Sequence, residues 1–418
     1  MQEQEGGRCV NHKWFLCFLL IASFVLSGCE YSHEITDMAY VVALGLDKAE
    51  DGVRVSFQFA RPLSIGGGEQ QGSAPEEGED EGAAKNKNTT VLSISADSFY
   101  TARAIAENSL SKSINLSHTK LLLFSEELAK EGISEHIRLF MKSSQFSPNT
   151  FVAVSLCTAE EYMKTVAPSL EINPAKYYTL IFAQQNSDYM PEATLRDVYF
   201  GLSAPGSEPV LPVTNLVQEN EAESRAAERG DYEAGEVDKG GENKTDVSGM
   251  ATISMGKLSA VLSSADSVSY HLLSGRLKEH YLSVPSPSEK GKHITLRLTQ
   301  DSAPKHRVEE KEQRLNISST LILSAELVEC PQKDIENLGT EGIKTLAEGH
   351  LKEQLRSFIQ TTQNECRADA IGFGRIFKMK FPDYPAWEAY HWQEKYQTAD
   401  FSPEVTLRIS RVGLILEG

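Results

Sequence analysis

The chain has 418 residues, with 59 acidic and 41 basic side chains, a formal net charge of −18, 40% apolar and 24% charged residues. A globular composition at this length calls for two or three cores, and the acidic balance disfavours nucleic acid as a partner, because its phosphates would be repelled. Its six cysteines are too dispersed for a disulfide framework or a zinc knuckle.

The first predicted element is the uncharged apolar run Trp14–Leu26. As a helix it would reach roughly 20 Å, short of the ~30 Å hydrocarbon core, and it fits the apolar segment of a secretory signal. Leu26, Ser27, Gly28 and Cys29 follow and resemble the lipobox of bacterial lipoproteins. Residues 1–28 are then a signal peptide, and Cys29 becomes the first mature residue and the lipid attachment site. Cys9 and Cys17 leave with the signal. Cys157, Cys330 and Cys366 are expected as buried free thiols.

Residues 29–216 predict an N-terminal α+β region. Met38–Asp47 is an apolar run bounded by turn residues and reads as a buried strand. Val53–Arg61 alternates Val53, Val55, Phe57 and Phe59 with Arg54, Ser56, Gln58 and Ala60, a half-buried strand in hairpin with the first. Gly66–Gly82 holds six acids and no base, so an insertion at about 66–88 is expected to be disordered. A strand at 90–96, a helix capped by Asp97 or Ser98, a strand at 119–125, a helix broken near Gly132 and a strand at 150–157 follow. Residues 158–216 read as mostly helical, ending in a proline-bearing extended connector, "PGSEPVLPVTNL". Residues 217–248 are again acidic and poor in large apolar side chains, and are expected to form a disordered linker.

Residues 249–418 predict a second α+β domain. Strand-like segments at 249–263, 293–300 and 314–330 precede a long helix at about 334–363. On that helix Ile335, Leu338, Ile343, Leu346, Leu355, Phe358 and Ile359 share one apolar face. Gly339, Gly342 and Gly349 weaken its first half. A closing strand begins at about 402, with Val405, Leu407 and Ile409 on one side.

Catalytic patterns are missing from the sequence. "GFG" at 372–374 lacks the third glycine and the lysine of a phosphate loop, and there is no His-Glu-x-x-His or Gly-x-Ser-x-Gly. No enzyme activity, metal or other cofactor is expected. The least ordinary stretch joins Gly372, Phe373 and Gly374 to an aromatic run holding Trp387 and Trp392. Core packing is one reading of it. A partner-binding interface made by those five residues is the other.

Several pieces together resemble the Ger(x)C family of spore germination lipoproteins, the C subunits of nutrient germinant receptors. After Cys29 the matching positions are Glu34, Ile35, Asp37, Gly45 and Asp47, while Glu30, Tyr31 and His33 depart from the usual Trp, Asp and Arg. His118, Lys120, Leu128, Ala129, Gly132 and Ile133 match a His-x-Lys strand and the helix after it, although Lys142 and Ser143 replace an Arg-Asp pair. Asp369, Gly372, Phe373, Gly374, Arg411 and Gly413 match the tail. The resemblance implies a noncatalytic, mixed α/β body of three domains. It also implies a lipid anchor at the outer face of the inner spore membrane, and partnership with permease-like and other integral membrane subunits. An extracytoplasmic substrate-binding lipoprotein of a transporter is the alternative, but it calls for two doubly wound lobes.

Overall fold

In this computed structural model the described residues are 38–60 and 89–412, except 169, 172, 184–186, 205, 218–230, 238 and 242. Cys29, Glu34, Ile35, Asp37, Gly413 and the acidic insertion at 66–88 lie outside them. The elements run β1 (Met38–Lys48), β2 (Val53–Ala60), β3 (Thr89–Ala96), α1 (Phe99–Ser109), β4 (Ser113–Asn115), β5 (Leu121–Ser125), α2 (Glu126–Glu131), α3 (Ser134–Lys142), β6 (Phe151–Ser155), α4 (Ala159–Thr165), α5 (Pro174–Phe182), α6 (Leu195–Ser203), β7 (Val210–Leu216), β8 (Thr245–Ser254) and β9 (Lys257–Leu262). They continue as α7 (Ser264–Ser274), β10 (Glu279–Pro285), β11 (His293–Thr299), β12 (Lys305–Lys311), β13 (Arg314–Glu329), α8 (Gln332–Thr361), α9 (Phe373–Lys378), α10 (Tyr384–Glu388), α11 (Trp392–Gln397) and β14 (Asp400–Val412).

Nine strands form the first sheet, in the order β3-β2-β1-β5-β6-β7-β8-β9 with β4 beside β1. Parallel pairs β1–β5, β5–β6 and β6–β7 sit between antiparallel ones, so this is the mixed sheet of an α+β fold and not a doubly wound lobe. Five strands form the second sheet: β13 carries β11 and β12 antiparallel and β14 parallel to itself. Along β13 burial alternates cleanly through Leu315, Ile317, Ser319, Leu321, Leu323 and Ala325, and α8 covers this sheet with Ile343, Ala347, Leu351, Leu355, Phe358 and Ile359. Of the three glycines expected to weaken its first half, Gly339 leaves helical geometry (φ 60°, ψ −179°), while Gly342 and Gly349 stay helical.

Three expectations are corrected. Strand β2 is buried on both faces, because α4 and α5 cover the side that its polar residues occupy. Gln58 survives there by donating to Met163 O (2.9 Å) and accepting from Tyr178 Oη (2.7 Å). The segment read as a connector contains β7, an interior strand, whose Pro212 is accommodated at a register shift in the β7–β8 pairing. Finally, the expectation of a disordered linker over 217–248 fails at its C-terminal end. Thr245 opens β8, and the preceding chain is held by Asn215 Nδ2 donating to Ala234 O (3.0 Å) and by Gly235 N donating to the buried Asp246 carboxylate (3.0 Å). With β9, this strand belongs to the first sheet, so residues 245–262 complete the N-terminal unit and not the C-terminal one.

The Gly45-Leu46-Asp47 end of β1 seats helix α4. A Cβ at Gly45 would lie 2.6 Å from Met163 Cε and 2.8 Å from Ala159 Cβ. Two residues on, Asp47 accepts from the first helical amides, Ala159 N (2.7 Å) and Glu160 N (3.2 Å). Replacing Tyr232–Val247 by a Gly/Ser bridge is expected to cost about 3 kcal/mol or more, since it removes strand pairing and a buried, hydrogen-bonded carboxylate. Urea denaturation followed by circular dichroism measures it, and an unchanged midpoint would show the segment to be dispensable.

Candidate functional site at the seam between the sheets

Helix α6 ends at Ser203, and the chain turns through Gly206, Ser207 and Glu208 before β7 begins. Opposite lies the loop from Ala368 into α9. The two backbones touch: a Cβ on Gly374 would lie 2.8 Å from Gly206 Cα and 2.6 Å from Trp392 Nε1, and a Cβ on Gly206 would lie 2.8 Å from Gly374 C. Only hydrogen fits at either position, which is the close-approach role of glycine.

Asp369 sits at the centre with no exposed surface. Its Oδ1 accepts from Gly372 N (2.8 Å), and its Oδ2 accepts from Gly374 N (2.7 Å) and Trp392 Nε1 (3.2 Å). Across the seam, Asp369 N donates to Glu208 Oε2 (2.7 Å) and Glu208 N donates to Asp369 O (3.1 Å). Gln393 donates to Glu208 Oε1, and Arg375 donates to Ser207 Oγ (2.7 Å). Gly372, at φ 85°, makes the turn that aims the amides at one carboxylate.

Burial and the negative Asp369 push Glu208 up to about 7. Burial pushes Asp369 up to about 6, against the pull of the Gly374, Gly372 and Phe373 amides and the Trp392 indole. With those donors already on Asp369, Glu208 is the group of the pair that keeps the proton longer. The amide of Gln393 serves either form, donating to a carboxylate or accepting from a carboxylic acid. Asp369 is closed to solvent, and with Glu208 it is suited to holding the two units together.

Around this polar centre the aromatic side chains stack. Trp387 and Trp392 have ring centroids 5.7 Å apart, Phe377 lies 5.7 Å from Trp392, and Phe381 lies 5.4 Å from Trp387. Phe373 packs edge-on against His306 at 5.2 Å. The proposed partner-facing set of Gly372, Phe373, Gly374, Trp387 and Trp392 is therefore corrected: all five are buried within the chain. They build the joint, because the aromatic rings need apolar cover and the glycines are spent on the contact with Gly206. Glu208 was missed by sequence reading. An acid placed immediately before the apolar stretch Pro209–Val213 was the available signal. Of the three cysteines among the described residues Cys366 is buried, while Cys157 and Cys330 are half-buried, and all are free. Among the described residues no group of three His, Cys, Asp or Glu side chains is placed to hold a metal.

Two cavities flank the 204–209 loop. One, of about 540 Å³, is lined by Arg138, Met255, Tyr384, Glu388 and His391 among others. The other, of about 640 Å³, is lined by Phe200, Tyr270, Arg276, Arg375 and Ile376 among others.

Three substitutions test the seam. An acid with a raised folded pKa binds its proton more tightly in the folded state, so its stabilisation is complete below the unfolded pKa and lost as pH rises through the folded one. Stability should thus fall between pH ~4.5 and ~7, and Glu208→Gln should remove about 1–3 kcal/mol of that fall, measured by thermal unfolding across pH. Asp369→Asn should instead weaken the fold at every pH, because an amide NH₂ would face backbone donors. Separately, Gly374→Ala should cost about 2–4 kcal/mol by forcing Trp392 and Gly206 apart. Trp392 fluorescence and denaturant midpoints report both effects.

Comparison with known proteins places this arrangement. Residues 31–216 match the model described as spore germination protein N-terminal domain, and residues 248–413 match the spore germination B3/GerAC-like C-terminal model. Spore germination protein KC of Bacillus subtilis (strain 168) is 29% identical over 198 residues, 46% of either chain. The putative spore germination protein YfkR of the same organism is 29% identical over 152 residues, covering 36% of this chain and 38% of that one. The matches thus span less than half the length of each curated relative. A crystal structure of the GerBC protein superposes with a TM-score of 0.51, over 88% of this chain and 97% of that one, at 12% identity, a likeness of fold. With both family models matched in order on either side of the seam, the chain belongs to the GerAC-like family of spore germination proteins.

Proposed function

We propose that the protein is a noncatalytic lipoprotein subunit of a germinant receptor complex, needed for nutrient-triggered spore germination. Cys29 carries the lipid and holds the body at the outer face of the inner spore membrane. Its partners are permease-like and other integral membrane subunits. The observation that carries this reading is the ordered match of both family domains across residues 31–216 and 248–413. The mixed first sheet adds support, since a transporter's binding lipoprotein calls for two doubly wound lobes.

The anchor is part of the same proposal. Strand β1 begins at Met38, nine residues past Cys29, a tether of at most about 30 Å when fully extended. Such a leash keeps the body at the membrane, within reach of integral partners. Cys29→Ala is expected to abolish lipid labelling, release the protein from membranes and impair the germination response of spores to nutrients, with the melting temperature unchanged. Labelling, membrane retention and optical-density loss on nutrient addition measure the three effects. A mutant that still labels and stays with the membrane removes the anchor from the proposal, and normal germination by a released protein removes the need for it.

A further inference from the structure

The second unit presents a face that folding does not explain. Helix α9 and the turn after it turn Phe373, Phe377 and half of Phe381 inward, and leave Ile376 and Met379 outward, Met379 with 87% of its surface exposed. These two are three residues apart on one side of the helix. Arg375, Lys378 and Lys380 flank them, and there is no acid from Ala370 to Pro382 in a chain whose net charge is −18. Lys378 Nζ lies over the Tyr384 ring (5.4 Å) and Lys380 Nζ over the Phe377 ring (4.8 Å). The ammonium groups thus sit over aromatic faces, Lys380 also donating to Val308 O (2.8 Å), and Tyr384 itself is half-exposed.

The first unit contributes an independent observation. The β8–β9 hairpin turns through Met255 (φ 49°) and Gly256 (φ 80°), positive φ at both central positions. That turn favours Asn, Asp or Gly at its first position, and a methionine there is strained. The strain gives no packing in return, for Met255 is 87% exposed. Lys257 follows it. Met255 and Tyr384 line the same cavity, and Lys378, next to Met379, lies over the Tyr384 ring, so the hairpin tip and the outer turn of α9 approach that cavity from the two units.

We propose that this side of the molecule, through Met379, Lys378 and the Met255 hairpin tip, rests on an anionic lipid surface. Small apolar tips with cations beside them match the headgroup–acyl boundary, where the apolar atoms enter and the lysines meet phosphate. Charge complementarity selects lipid with a net negative charge, since the chain as a whole would be repelled by it and only a local cationic face can approach. The inference rests on the membrane anchoring proposed above. An acyl anchor supplies affinity but leaves the body free to swivel, and the second contact fixes which side faces the bilayer.

The test is hydrogen exchange on the full anchored chain in vesicles of phosphatidylcholine, or of phosphatidylcholine with phosphatidylglycerol. Amides of 375–381 and 254–257 are expected to exchange about threefold more slowly or better in the anionic vesicles, with the difference lost at high salt. Met379→Asp, at a fully accessible position where folding is undisturbed, should abolish the slowing at 375–381. Equal exchange in both vesicles, or slowing that survives Met379→Asp, overturns the proposal. So does slowing that appears only when a membrane protein partner is added, which would make the face a protein-docking surface. Flotation of the vesicles reads the anchor separately. Protein missing from the floated fraction overturns the anchor and this contact with it, whereas floated protein with unchanged exchange overturns the contact alone.

Discussion

A carboxylate closed off from water must be supplied with donors from its surroundings, and this requirement organises the joint around Asp369. Two glycine amides and one indole N–H meet it, all of them neutral, with no cation bonded to the carboxylate. Because the donors are backbone and indole, their positions are set by chain geometry. Gly372 must turn at positive φ, Gly374 must lack a Cβ, and Trp392 must present the edge of its ring. The aromatic stack follows from that last condition, since a tryptophan held by its nitrogen has a fixed plane against which Trp387 and Phe377 pack.

The same loop reaches outward. Asp369 uses its own amide and carbonyl to pair with Glu208, and Glu208 stands two residues before β7, an interior strand of the first sheet. Strands β7 and β8 then divide their side chains between two cores. Leu211, Val213, Ala251 and Ile253 pack with the first unit, while Val210 and Met250 join the core formed by α7, α8 and the second sheet. The units are thus fused at two levels, by shared apolar packing behind and by a polar clasp in front. Apolar packing is tolerant of small shifts. The reciprocal bonds between Asp369 N and the Glu208 carboxylate and between Glu208 N and Asp369 O are directional and fix the relative placement of the two sheets.

Much of the secondary structure was legible because its physical causes are local. Alternation, turn residues and the apolar face of α8 depend on neighbours in sequence, and so does the bend at Gly339. What was illegible depended on neighbours in space. Gln58 looks solvent-facing in an alternating strand, and only the arrival of α5 with Tyr178 reveals it as buried. The prolines around Glu208 point to a connector, and only the partner strands β6 and β8 make that segment sheet. The acidic composition that marks 217–230 carries on past residue 230. It conceals Asp246, whose charge is consumed by Gly235 N, by its following amide and by Lys239. Residues 372–374 were rightly singled out as unusual, but glycine beside a buried acid serves internal closeness as readily as a partner, and sequence alone does not distinguish the two.

The distribution of exposed apolar groups follows from this. With Trp387, Trp392 and Phe373 consumed in the joint, the surface left for recognition near the seam is made of residues that the joint does not need: Phe200, Met255, Ile376, Met379 and Tyr384. They project from elements that the clasp holds in fixed relation, two on the first unit and three on the second. A surface assembled from both units keeps its shape only while the joint is closed. The pair of raised carboxyl groups thus bears on more than stability: as Glu208 and Asp369 both ionise, repulsion across the seam acts on the very loop that positions Phe200 and Ile376 around one cavity. Glu208 itself lines that cavity, so whatever rests there meets one of the two carboxyl groups directly, while Asp369 stays closed behind it.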